Sequence, residues 1–184
     1  MIKTTEILIP KYYYGGIDES NHGRTPEIYS LVLSTDKSTI IEQLEKLPKI
    51  RKKQDPNEVY KTFEEFRYLT LEEKILNTFG VNAIKPAVFA HLLQSADINP
   101  RRIKVLIDGH LPLILIDETI NIYKNLTGKI IYRKRIQAIE HGDQWYPIIN
   151  SADLLAHTIY KNIQNQEKLP SGDKLVKLPL ELRC

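Results

Sequence analysis

The sequence predicts an α/β sandwich: a mixed sheet of five strands, three antiparallel and the rest alternating with helices, with helices packed on both faces. Three observations carry this. Runs rich in β-branched and aromatic residues occupy the first part of the chain, at residues 11–17, 27–34 and 65–71. From residue 71 onward, segments with helical spacing alternate with short apolar runs. No period of roughly 20–50 residues repeats, which argues against a solenoid. An antiparallel opening followed by alternating units builds a mixed sheet with helices on its faces.

Each element has its own local signal. Strands over residues 11–17 and 27–34 are joined by a tight loop, residues 18–26, containing Gly23 and Pro26. Ser38 is the expected N-cap of a helix over residues 39–47, stopped near Pro48. Residues 49–55 are basic, polar and aperiodic, and read as loop. After the third strand, Thr70 and Glu73 have capping-box spacing for a helix over residues 71–79, which Gly80 ends. Pro86 is expected to open the next helix, placing Ala87, Phe89, Ala90, Leu92 and Leu93 around a buried face. Asn99-Pro100 breaks the chain before a short apolar run, residues 103–107, suited to a buried parallel strand. A helix over residues 114–126 is closed by Gly128, residues 129–139 are strand-like, and Ser151 caps a last helix over residues 152–165. Residues 1–169 are expected to form one domain, with residues 170–184 as a tail or packing segment.

Composition narrows the function classes. The 184 residues are 42% hydrophobic and 27% charged, which is globular and long enough for a full core. The one cysteine, Cys184, excludes an internal disulfide and a CxxC zinc site, and fits a reducing, cytoplasmic location. The longest apolar run, residues 111–116, is far too short to span a membrane, and residues 1–10 have no signal-peptide layout. A net charge of +3 is only a weak pull towards an anionic partner. Walker A, Rossmann, Gly-x-Ser-x-Gly and His-Glu-x-x-His motifs are all missing from the sequence.

The acids carry the strongest chemical signal. Asp18 and Glu19 follow Gly15-Gly16-Ile17, and Asp108 follows Val105-Leu106-Ile107. Ligands of open α/β sheets bind at strand ends. If the two strands are neighbours, Asp18 and Asp108 emerge side by side, and a shared divalent cation relieves their repulsion. Oxygen ligands with no cysteine nearby favour Mg²⁺ or Mn²⁺ over Zn²⁺. A second acidic segment holds Asp143 and Asp153. Each also has an ordinary reading: Asp143 as a turn residue after Gly142, Asp153 as a helix-dipole partner in a first turn.

Basic and aromatic residues supply candidate contacts. Residues 49–53, on the loop of residues 49–55, are candidates for phosphate contact, Lys49, Lys52 and Lys53 among them, whereas Arg101-Arg102 reads as a solvated face. Tyr12, Tyr13 and Tyr14 read mainly as strand packing, and Trp145 as an anchor between last strand and last helix. His22, His110 and His141 each adjoin an acidic segment.

Three segments together resemble a known family. Gly16-Ile17-Asp18-Glu19-Ser20-Asn21-His22-Gly23-Arg24 resembles the opening of type 2 ribonuclease H, where a strand ends in a Gly-Ile-Asp-Glu-Ala-Gly-Arg-Gly loop. Val105-Leu106-Ile107-Asp108-Gly109-His110 is similar to that family's Asp-Gly strand end, and Glu140-His141-Gly142-Asp143 through Ser151-Ala152 to its third acidic segment. The Ile-Asp-Glu-Ser opening and the closing Ser-Ala-Asp-Leu-Leu-Ala also resemble an uncharacterised group of ribonuclease-H-like proteins. The segments appear in family order. The resemblance implies a ribonuclease-H-like fold and a Mg²⁺- or Mn²⁺-dependent nuclease acting on an RNA–DNA hybrid or DNA by a two-metal mechanism. It implies Asp18 and Asp108 as shared ligands, Glu19 on one metal, and Asp143 (by the type 2 enzymes) or Asp153 (by the second group) completing the site. The Gly-Arg-Gly loop is replaced by Asn21-His22-Gly23-Arg24, which keeps Arg24 as a substrate contact but shifts its place. The alternative is a non-catalytic member of the same fold that binds nucleic acid or protein.

Overall fold

A computed structural model describes residues 11–20, 25–49 and 55–179. Five strands form one sheet: β1 (Tyr13–Ser20), β2 (Glu27–Ser34), β3 (Glu65–Leu71), β4 (Ile103–Asp108) and β5 (Ile136–Ile139). Their spatial order is β3-β2-β1-β4-β5. The first three pair antiparallel, while β4 is parallel to β1 and β5 parallel to β4. This is the predicted mixed sheet. The helices are α1 (Pro56–Lys61), α2 (Glu73–Phe79), α3 (Val81–Ser95), α4 (Leu113–Thr127) and α5 (Pro147–Gln164).

Strand alternation sends side chains to two cores. On one face Ile17, Leu31, Val105 and Ile107 pack with Val88, Phe89 and Leu92 of α3 and Tyr123 of α4. On the other, Val32, Tyr68 and Leu106 pack with Ile148, Ile149, Ala152 and Leu155 of α5. The central strands are therefore apolar on both sides, as the run at residues 103–107 suggested.

Local signals misplaced several boundaries. β1 runs on to Ser20, because residues 14–20 all pair with β2, so Asp18 and Glu19 lie within the strand rather than beyond it. The helix expected over residues 39–47 is only the 3-10 turn Lys37–Ile40, capped by Asp36 rather than Ser38. Beyond it, the N–H groups of Gln43 and Leu47 donate to the carbonyls of Trp145 and Gln144 at 2.9 and 2.8 Å. α1 was not predicted; the Asp55 side chain caps it and Pro56 opens it. Thr70 is a strand residue, so α2 starts at Glu73 without a side-chain cap, and Pro86 lies inside α3 rather than at its start. Only Ile136–Ile139 of residues 129–139 is strand. α5 begins at Pro147, one turn before the expected Ser151 cap. Beyond α5, Leu175 bridges to Tyr68, and the Val176 N–H donates to the Tyr68 carbonyl at 2.8 Å. No helix among the described residues is long and apolar enough to cross a membrane.

Candidate metal centre

The acids gather where β1, β4 and β5 end. In the parallel pairing of β1 with β4, Ile17 is opposite Ile107, so Asp18 and Asp108 occupy the next position on adjacent strands. Both share the face of Gly16 and Leu106, which is the α5 face. Gly16 permits the close approach of that helix: a Cβ there would lie 2.2 Å from the Ile148 carbonyl oxygen. Ser30, opposite Asp18 on β2, donates from Oγ to the Ala152 carbonyl at 2.8 Å and holds α5 beside the site. Asp153 is the next residue, and His157 follows four residues later on the same helical face. After β4 the chain turns sharply at Gly109, whose φ of 87° suits glycine, and its N–H donates to the Ile139 carbonyl at 2.9 Å.

Asp143 arrives by a different route. It sits in the 3-10 turn Gly142–Gln144 rather than directly at the end of β5, and it is buried. Its N–H donates to Asp108 Oδ1 at 3.2 Å, and its Oδ2 lies 3.0 Å from Lys49 Nζ. Together Asp18, Asp108, Asp143, Asp153, His157 and Lys49 line a cleft of about 680 Å³.

Burial makes this cleft electrostatically costly. Asp18 is 5% exposed, and burial holds its carboxyl well above the usual carboxylate range. The charges of Asp108, Asp153 and then Asp143 push it the same way, against the Glu19 N–H, which donates to Asp18 Oδ1 at 2.6 Å. Asp108 is also raised, chiefly by burial, with the N–H groups of Asp143, Gly142 and Gly109 opposing. A divalent cation would reverse this cost, and an all-oxygen donor set suits Mg²⁺ or Mn²⁺. The donor chemistry fits such an ion. Among the described residues, however, no three His, Cys, Asp or Glu side chains are already placed to share one.

Glu19 alternates to the opposite face from Asp18. There its Oε1 meets Lys85 Nζ of α3 at 2.8 Å, with both side chains 18% exposed. Asp153 lies in the second turn of α5 rather than the first, so a helix-dipole role no longer explains it. Trp145 faces the segment after β2, with Lys46 Nζ 5.7 Å from its ring centroid. Arg24, Lys52 and Lys53, and His22 with them, lie outside the described residues. Sequence reasoning missed His157 and Lys85. The four-residue spacing from Asp153 could have found His157; nothing local marks Lys85.

A mixed sheet in the order β3-β2-β1-β4-β5, with helices on both faces, is the ribonuclease-H-like fold. The crystal structure of the ribonuclease H2 from Pyrococcus horikoshii OT3 is similar, with a TM-score of 0.55 over 93% of this chain and 82% of that chain, at 16% sequence identity. No protein-family model and no curated protein sequence matches the chain.

Proposed function

We propose that this chain is a divalent-metal-dependent nuclease that hydrolyses nucleic-acid phosphodiester bonds. The observation that carries the reading is the meeting of Asp18, Asp108, Asp143 and Asp153 in one cleft at strand ends of a ribonuclease-H-like fold. Fold alone does not assign a reaction, and the carboxylates are what supports this one. Bound Mg²⁺ or Mn²⁺ would supply an activated water and charge stabilisation for an in-line displacement. Asp18 and Asp108 would hold the ion between two strands, and Asp153 would complete the set from α5. Asp143 fixes Asp108 through its N–H, while Lys49 holds the Asp143 carboxylate. Glu19, tied to Lys85, stands at the rim, able to exchange that ammonium for an ion or an ordered water. His157 lines the same cleft as a proton donor for the leaving oxygen. The substrate class is an RNA–DNA hybrid or DNA, with Arg24, Lys52 and Lys53 as phosphate contacts, and the location is cytoplasmic.

The second reading, a non-catalytic member that binds nucleic acid or protein, draws on the two lysines already paired with Glu19 and Asp143. One experiment separates them. Labelled RNA–DNA hybrid, single-stranded DNA, single-stranded RNA and a branched junction are incubated with the protein in Mn²⁺ and in excess EDTA. The nuclease reading expects cleavage of at least one substrate in Mn²⁺, ending in a 5′-phosphate and abolished by EDTA. Cleavage undiminished by EDTA would contradict the metal role. Binding without cleavage of any substrate would favour the second reading.

A further inference from the structure

At the other end of β4 and β5 lies a second concave surface. The connection from α3 to β4, residues 97–101, and that from α4 to β5, residues 128–132, wall a groove of about 610 Å³. It is separated from Asp108 by the length of β4, roughly 20 Å for six residues at the usual strand rise. None of the acids of the cleft lines it.

Its chemistry differs from the cleft's: of the residues that line it, Arg101 and Lys129 are cationic and Asp97 is acidic. Residues 101–104 and 129–135 contain seven Lys and Arg and no Asp or Glu. Without those seven the rest of the chain is net acidic. Among them, Lys129 lies 3.6 Å from Asp97, Arg133 lies 3.5 Å from Asp117, and Arg135 donates to the Tyr12 hydroxyl. The two ion pairs are solvent-exposed and worth little, so both cations remain exchangeable. Arg101 is exposed on the groove wall, anchored through its N–H to the Asn99 side chain at 3.0 Å. Beside these cations the groove presents apolar surface: Tyr132 is 52% exposed and Ile130 49% exposed. An aromatic side chain left half in water costs hydrophobic burial, and here it stands next to cations rather than within a core.

Cations flanking an exposed ring and an aliphatic wall match one polymer well. Phosphates satisfy Arg101 and Lys129, and an unpaired base stacks on Tyr132. A duplex offers such a groove only phosphates, because its bases are already stacked. We infer that the groove walled by residues 97–101 and 128–132 binds single-stranded nucleic acid, at a site separate from the acidic cleft and needing no metal. The inference does not rest on the nuclease reading.

The test is fluorescence anisotropy of a short fluorescein-labelled oligothymidylate with the full chain in EDTA, across a salt series. The site expects measurable binding that survives Asp18→Asn/Asp108→Asn. Arg101→Glu/Lys129→Glu should weaken it about 10-fold or more and flatten the log–log salt slope by roughly 1.4, for two phosphate contacts on a single strand. Tyr132→Ala should weaken the oligothymidylate several-fold while leaving the matching duplex nearly unchanged. Lys161→Glu, an exposed charge on α5, should have little effect, and melting curves should show every variant folded. Arg101→Gln/Lys129→Gln, which avoids new repulsion with Asp97, should lose binding in the same direction. Absence of oligothymidylate binding would overturn the inference. So would an unchanged affinity and slope in the Arg101/Lys129 variants, an equal loss from Lys161→Glu, or indifference to Tyr132→Ala.

Discussion

Asp18 carries a heavy electrostatic load in the cleft, because it is buried and faces Asp108, Asp153 and Asp143. A carboxyl raised in the folded state keeps a proton that the unfolded chain has released. Its contribution to stability is therefore most favourable below the unfolded carboxylate pKa, and is lost as pH rises from there through the folded value. At neutral pH in EDTA, Asp18→Asn should melt higher than the wild type, by roughly 2–4 °C for each kcal/mol relieved in a chain of this size. That advantage should shrink as the pH is lowered into the carboxylate range, and a lower melting temperature for Asp18→Asn at neutral pH would remove the premise. The choice between Asp153 and Asp143 is made at the same scale. Asp153 acts on Asp18 more strongly than Asp143 does. Asp153→Asn should therefore lower kcat by about 10²–10³-fold, the usual loss on removing one stabilising group from a transition state. Asp143→Asn should cost less, with both variants folded. Steady-state kinetics on the best substrate decide this, and the reverse order would move the site to the turn before α5.

At the scale of elements, the cleft depends on how closely α5 lies against β1. A Cβ on Gly16 would meet backbone, the Ile148 carbonyl at 2.2 Å, whereas one on Gly15 would meet side-chain ends of Leu31 and Leu33 at 3.3 Å. Gly16→Ala should thus push α5 outward and cost about 1–3 kcal/mol in urea unfolding, and Gly15→Ala clearly less. Equal costs would show that the helix has slack. Which elements are legible in the sequence depends on how local their pattern is. The strands at residues 27–34 and 65–71 and the helix closed by Gly128 have patterns that are complete within their own residues. The false helix at residues 39–47 fails because Gln43 and Leu47 give their N–H groups to the Trp145 and Gln144 carbonyls, a hundred residues away in the chain. Asp18 was read as leaving the strand because β1's pairing with β2, which extends it to Ser20, is invisible locally. The acids could still be singled out, since a carboxylate beside an apolar run is conspicuous; their partners Lys85 and Lys49 could not, because ion pairs across elements leave no spacing to read.

Across the molecule, among the described residues, the ends of the parallel strands differ in charge. The C-terminal ends of β1 and β4 carry acids, and the N-terminal ends of β4 and β5 carry Arg101, Arg102 and residues 133–135. A net charge of +3 conceals this division, which is why composition alone said little about partners. The acidic end suits a cation and the basic end a polyanion. The proposed function turns on divalent-ion binding at the acidic end. Isothermal calorimetry of Mn²⁺ into the metal-stripped full chain, beside Asp18→Asn/Asp108→Asn, tests it most directly. Saturable binding is expected in the wild type and its loss in the double variant, with both proteins folded. No saturable heat in the wild type, or the same isotherm from both proteins, would contradict it.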